Sequence, residues 1–110
     1  VPLKIAGVPL FAQVDSGAEV SCLSTAWIQE HEIPVKPVHG HLTLADGSHI
    51  KREGLAILAV ECGSSQLQLS FEVCNLKHPC LIGVNHFAKL GFKITGLPTQ
   101  FPEAAARSKP

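Results

Sequence analysis

The stretch Pro9-Leu10-Phe11-Ala12-Gln13-Val14-Asp15-Ser16-Gly17-Ala18 runs from apolar residues straight into an acidic turn. Asp-Ser-Gly is ordinary turn chemistry, because the Asp side chain can bond its own backbone two residues on. At average residue frequencies Asp-[Ser/Thr]-Gly arises in about one in twenty chains of this length, so the tripeptide alone is weak evidence. Its surroundings add to it. Val14 is apolar and Ala18 is small. The turn therefore begins and ends against packed structure, and the chain draws a carboxylate toward an apolar interior. Burying an unpaired carboxylate is costly.

A chain of 110 residues, 45% of them apolar, fits one domain with a small core that a dimer interface would enlarge. Nine basic residues balance nine acidic ones, and the isoelectric point lies near 7.1. That balance gives no footprint for nucleic acid or an anionic membrane. No apolar stretch approaches the roughly 20 residues of a membrane span, and the first residues lack the basic start and long apolar region of a signal peptide. Methionine is absent even at position 1, as expected of a piece of a longer precursor, cut out naturally or by design. Four cysteines, Cys22, Cys62, Cys74 and Cys80, could form two disulfides in a secreted protein. Nothing marks the chain as secreted, and Cys22 and Cys62 sit in apolar runs where free cysteine acts as a small core residue. Cys74, His78 and Cys80 have a spacing that matches no common zinc pattern. His39 and His41 lie two apart in an expected strand and read as solvent-facing residues. His86 reads as a surface residue, and Trp27 as a partly buried core residue.

The chain reads as mostly β. Leu3–Ile5 and Pro9–Val14 form a hairpin about Gly7, and Val20–Leu23 is a further strand. Ser24 or Thr25 caps a short helix over Ala26–His31, which Pro34 and Pro37 end. Asp46-Gly47 joins His41–Leu44 to His49–Arg52 in a hairpin with few large apolar residues, suited to projecting from the body. Leu55–Glu61 pairs with Gln66–Val73, where Leu67, Leu69, Phe71 and Val73 alternate with polar residues and give one buried face. Leu81-Ile82-Gly83 is a short buried strand, Asn85–Leu90 one or two helical turns stopped by Gly91, and Phe92–Thr95 a last strand. Residues 1–96 form the domain, and residues 97–110 read as a flexible tail.

Two copies of Asp15 a few ångströms apart would remove the penalty of burying the acid, because they would share one proton. One carboxylate then serves as general base toward a bound water, while its protonated partner donates to a carbonyl. Such a pair titrates as a unit. Asp-Ser-Gly occurs once in the sequence, so this chemistry needs two chains.

Three blocks, in order, carry a resemblance to the retropepsins, the dimeric aspartic proteases of retroviruses and gypsy-type LTR retrotransposons. PLFAQVDSGAEVSCLS, residues 9–24, resembles the catalytic strand and turn. LADGSHIKREG, residues 44–54, is similar to the flap hairpin. CLIGVNHFAKLGFKI, residues 80–94, resembles the apolar-apolar-Gly block and short C-terminal helix. The resemblance implies an all-β fold, a closed β-barrel-like half of an acid protease with one short C-terminal helix, forming a symmetric homodimer. It implies that Asp15 is catalytic and that Ser16 ties the two active-site turns together across the two-fold axis. Gly17 would admit the substrate backbone. Ala18 and Glu19 would line the cleft, although many viral members carry Asp at the Glu19 position. Ala45, Asp46, Gly47 and Ser48 would lie near the flap tip and close over the peptide. Leu81, Ile82 and Gly83 would support the catalytic loop and border a side-chain pocket, and Asn85 would begin the C-terminal helix. Val1–Ile5 could join an interfacial sheet.

The expected function is a homodimeric aspartic endopeptidase acting on extended polypeptide in a retroelement polyprotein, with no metal or other cofactor. It would work in the cytoplasm or within a virus-like particle, released from a polyprotein precursor. The rival is a catalytically silent module of the same fold that dimerises or binds peptide. A metal-binding β domain built on Cys74, His78 and Cys80 is a third reading.

Overall fold

The computed structural model describes residues 1–44 and 47–91. The expected strand Phe92–Thr95, the tail from 97 and the domain limit at 96 lie outside the described residues. Within the described residues, nine strands and two short helices follow in order. They are β1 (Pro2–Ile5), β2 (Val8–Phe11), β3 (Gln13–Val14), β4 (Cys22–Ser24), α1 (Thr25–Glu30), β5 (His41–Thr43), β6 (His49–Lys51), β7 (Gly54–Cys62), β8 (Ser65–Cys74) and β9 (Cys80–Ile82), then a 3-10 turn at Val84–His86 and α2 (Phe87–Leu90).

Turn chemistry fixes the register of the hairpins. Ala6 and Gly7 both take positive φ, 52° and 81°, so the β1–β2 connection has the twist of a type I′ turn and sets Ile5 opposite Val8. In the β7–β8 hairpin only Gly63 takes positive φ, 60°, and Cys62 faces Ser65 across the turn. That long hairpin is the spine of the fold. On β8, Leu69, Phe71 and Val73 are buried while Gln66, Gln68 and Ser70 are exposed, the period of two expected from the sequence.

Seven strands form one sheet in the order β2-β1-β7-β8-β4-β9-β3, and β5 and β6 form a separate hairpin. The outermost strands, β2 and β3, are separated in sequence by Ala12 alone. The sheet must therefore curl until its edges meet, which gives a nearly closed barrel. Ala12 marks the corner. It exchanges backbone hydrogen bonds with Val1 in both directions, at 2.8 and 2.9 Å, before Gln13 pairs in parallel with Leu81. The single strand expected over Pro9–Val14 is thus two strands with different partners. β1 bonds to β2 along its length and to β7 at Lys4 and Ile5. Both edges of Lys4 and Ile5 are therefore occupied within the subunit.

Inside the barrel Leu3, Ile5, Leu23, Val60, Phe71 and Ile82 pack with Trp27, Ile28, Phe87 and Leu90 from the two helices. Trp27 belongs fully to this core. Cys22 is buried and Cys62 half-buried, both as free thiols. The strand expected over Val20–Leu23 is found at Cys22–Ser24. α1 starts at Thr25 and is capped by Ser24, whose Oγ accepts from Trp27 N at 3.0 Å. Ser24 is buried, so no water replaces the lost acceptor. Ser24→Ala should lower stability by about 1 kcal/mol, a fall in Tm of roughly 4–8 °C at this size. A melting curve indistinguishable from wild type would show that the cap contributes nothing.

Candidate active site

The parallel pairing of β3 with β9 carries the chain into the Asp15 turn. Asp15 N donates to Ile82 O at 2.9 Å, which extends the ladder by one residue. The chain then reverses. Ala18 N donates to Asp15 O at 3.1 Å, and Gly17 N donates to the carboxylate Oδ1 at 2.9 Å. The side chain is thereby held by its own turn, as an Asp-Ser-Gly sequence permits. Asp15 is half-buried, while Ser16 and Gly17 are exposed at the tip.

Behind the turn, the loop is stitched to residues 82–84. Val84 N donates to Ala18 O at 2.9 Å, and Gly83 N donates to Ser21 Oγ at 2.9 Å. Gly83 lies directly against the backbone of Val20, where a Cβ would meet Val20 C and O at 2.5 Å. The glycine is required here for space: its φ of −89° is open to any residue.

Across from the turn stands the β5–β6 hairpin. Leu42 and Ile50 face each other across it and are half-buried on its inner side, while its other strand residues are exposed. Gly47 takes a φ of 87° at the tip, and its N–H donates to Leu44 O at 2.9 Å. The base is anchored by Arg52, which forms a two-pronged ion pair with Glu72 at 2.9 and 3.0 Å and donates to His39 O at 3.2 Å. Between hairpin and turn lies a cleft of about 530 Å³. Asp15, Gly17, Ala18, Glu19, Val20 and Cys22 line it on the turn's side and His41–Leu44 and Ile50 on the hairpin's, and Leu76 and Leu81 complete the lining. Its walls are mostly apolar and its floor carries a carboxylate, an arrangement suited to an extended chain with apolar side chains.

Competing chemistries fare less well. Cys22 borders the cleft, but its hydrogen bond with Cys74 and its burial both raise its pKa, so it stays a thiol. Burial pushes Cys80 up to about 12. Neither meets the requirement of a nucleophilic thiolate. Cys74 and Cys80 are buried whereas His78 is exposed. Among the described residues no group of three His, Cys, Asp or Glu is placed to hold a metal.

No family model matches the sequence, and no curated protein matches it. Solved structures do. The EIAV protease complexed with the inhibitor HBY-793 superposes with a TM-score of 0.71, at 18% identity, over 86% of this chain and 89% of that one. The chain has the fold of a retropepsin subunit. The retroviral protease-like domain of Ddi1 from Leishmania major gives a TM-score of 0.62 at 20% identity, over 81% of this chain and 74% of that one.

On this retropepsin frame the residues singled out in the sequence fall into three groups. Asp15, Gly17, Ala18, Glu19 and Leu81 line the cleft. Ile82 and Gly83 do not; they are buried behind the turn and support it. Gly47 and Ser48 are exposed at the hairpin tip, and Ala45 and Asp46 lie outside the described residues. Asn85 does not begin α2 but sits inside the 3-10 turn that precedes it. His39 and His41 are exposed, although His39 precedes the strand.

The sequence does not single out the cleft residues Val20, Cys22, Leu42, Ile50 and Leu76, nor two buried polar residues behind the turn. His86 is only 3% exposed and not on the surface, and Ser21 is 1% exposed. They bond to each other at 2.7 Å across 65 residues of sequence. A signal existed for His86, which stands four residues before Leu90 and one before Phe87, the apolar face of α2. Ser21 offered none, because its partner lies in a distant block.

Proposed function

We propose that the chain is one subunit of a homodimeric aspartic endopeptidase that cuts extended segments of a retroelement polyprotein. The observation that carries this reading is the placement of Asp15. A carboxylate oriented by Gly17 N lies on the floor of a mostly apolar cleft roofed by a hairpin. One carboxylate does not complete the chemistry. The turn tip is open at Ser16 and Gly17, and beside it Val14 and Val84 leave more than a third of their surface exposed. That face suits a second copy, which would bring its own Asp15 alongside the first.

In the paired site one Asp15 takes a proton from a water held between the carboxylates. The water oxygen attacks the scissile carbonyl, and the other Asp15 donates its proton to the carbonyl oxygen. In the resulting tetrahedral intermediate the first Asp15 passes the proton it took from water to the amide nitrogen, one hydroxyl returns its proton to the other Asp15, and the C–N bond breaks, leaving the pair with one shared proton. Gly17, with no side chain, lets the substrate backbone approach. The hairpin excludes water from above. Leu42, Ile50, Leu76 and Leu81 supply apolar walls for the side chains flanking the cut. The chain would act in the cytoplasm or in a virus-like particle.

Digestion of a peptide library from pH 4 to pH 7, with and without pepstatin, tests the reading. Cleavage between apolar residues, abolished by pepstatin, is the expected result. The inhibitor should also raise Tm, since it binds only the folded site. A folded dimer that cuts nothing and shows no shift at saturating inhibitor would instead be the silent module.

A further inference from the structure

The roof of the cleft is tied to its floor through one residue of β8. β5 and β6 pair only with each other, so no strand ladder holds their hairpin to the barrel. Flanking it, Lys36 exchanges hydrogen bonds with Leu55 at 2.9 and 2.8 Å, and Glu53 N donates to Val73 O at 2.9 Å. Between these anchors Arg52 fastens both arms. Its backbone N–H donates to Gly40 O at 2.9 Å and its guanidinium to His39 O at 3.2 Å. The same guanidinium grips both oxygens of the Glu72 carboxylate, at 2.9 and 3.0 Å. Glu72 stands opposite Cys22 of β4. Residues in register share a face of the sheet, so the carboxylate leaves β8 on the side of Cys22, a cleft residue. The backbone N–H of Glu72 donates to Ser21 O at 3.0 Å, at the end of the loop that carries Asp15. The backbone of Glu72 thus holds the floor, and its side chain holds the roof.

We propose that Arg52 and Glu72 are positioning residues: their ion pair fixes the height of the β5–β6 hairpin above the Asp15 turn, and so sets how tightly an extended chain is held in the cleft. The effect on a bound chain rests on the peptidase reading; the effect on the hairpin does not. An ion pair in open solvent would be too weak for this task. Here the side chains are only 28% exposed for Arg52 and 14% for Glu72, so salt and water screen the pair less. The planar fork of Arg52 fixes direction as well as distance, and one ammonium could not reproduce it. Without the pair, a substrate must first draw the hairpin back into place. Its affinity then falls by the fraction of chains in which the hairpin is already placed. Once bound, it meets the same carboxylates, so the loss falls on KM and not on kcat.

Relaxation-dispersion NMR on the full chain, with steady-state cleavage of peptides, tests this. Glu72→Gln keeps the shape of the side chain and the backbone bond to Ser21 O but removes the charge. It should bring exchange broadening to the amides of His41–Thr43 and His49–Lys51 and leave those of β7 and β8 as in wild type. It should raise KM about tenfold, the loss of a charge-assisted pair, and lower kcat no more than about twofold. Arg52→Gln should do the same. Arg52→Lys, which keeps the charge without the fork, should fall between Arg52→Gln and wild type. Hairpin amides indistinguishable from wild type in both Gln variants, or a loss carried by kcat with KM unmoved, would overturn the proposal. A hairpin loosened as expected in a chain that cuts no peptide supports the positioning and contradicts the peptidase reading instead.

Discussion

Asp15→Asn should abolish peptide cleavage while leaving fold and dimer intact. The amide is isosteric with the acid and can still accept from Gly17 N through its oxygen, so the turn keeps its hydrogen bond. It can neither take a proton from water nor share one with a partner. Losing that proton transfer costs about 10³-fold or more in kcat. The circular dichroism spectrum should be unchanged. Stability should hold or rise, because the substitution removes the need to place two carboxylates together. Mixing sharpens the test. When the variant is added in excess to wild type and subunits exchange, wild-type activity should fall, since each mixed dimer carries a single carboxylate. Retained cleavage by the pure variant would remove Asp15 from the mechanism. Undiminished wild-type activity after subunit exchange would mean that one carboxylate suffices.

Gly83→Ala should strongly destabilise the subunit. The new Cβ would lie 2.5 Å from Val20 C and O and 2.8 Å from Val20 N. These are backbone atoms, which no rotamer change can move aside. The φ at Gly83 is unremarkable, so the whole effect is steric. Relief requires the loop between Asp15 and Ser21 to part from residues 82–84. That would stretch the bonds from Gly83 N to Ser21 Oγ and from Val84 N to Ala18 O. Overpacking of this kind costs about 3 kcal/mol, a fall in Tm of roughly 10–25 °C for a domain of this size. Activity should fall further than stability alone accounts for, because the displaced loop carries the acid. A variant that melts within a degree or two of wild type would show that the loop and Gly83 are not in contact.

What could be read from the sequence was whatever local chemistry decides. The alternation on β8 is imposed by one buried face, and Leu69, Phe71 and Val73 are buried as that pattern requires. The β5–β6 hairpin was legible from its turn signal, and α1 from Ser24, with its start one residue early. The Asp15 turn could be placed because an acid at the end of an apolar run needs an explanation. What could not be read depends on partners far away in the chain. The break at Ala12 has no local cause; it follows from Gln13 leaving the β1–β2 hairpin to pair in parallel with Leu81. The parallel register of β4 on β8 is equally non-local. Gly83 looks like the end of a short strand until Val20 is seen against it. The buried Ser21–His86 pair fails the usual expectation that polar residues lie outside, and only the contact between two separate blocks reveals why both are inside.

In the proposed enzyme two copies of Asp15 together make one site. Calorimetric titration with a statine-type inhibitor tests it most directly, because the inhibitor counts sites while sedimentation of the same sample counts chains. One inhibitor should bind for every pair of chains, with binding and dimer formation strengthening each other. One inhibitor bound to each single chain, with no change in association state, would contradict it.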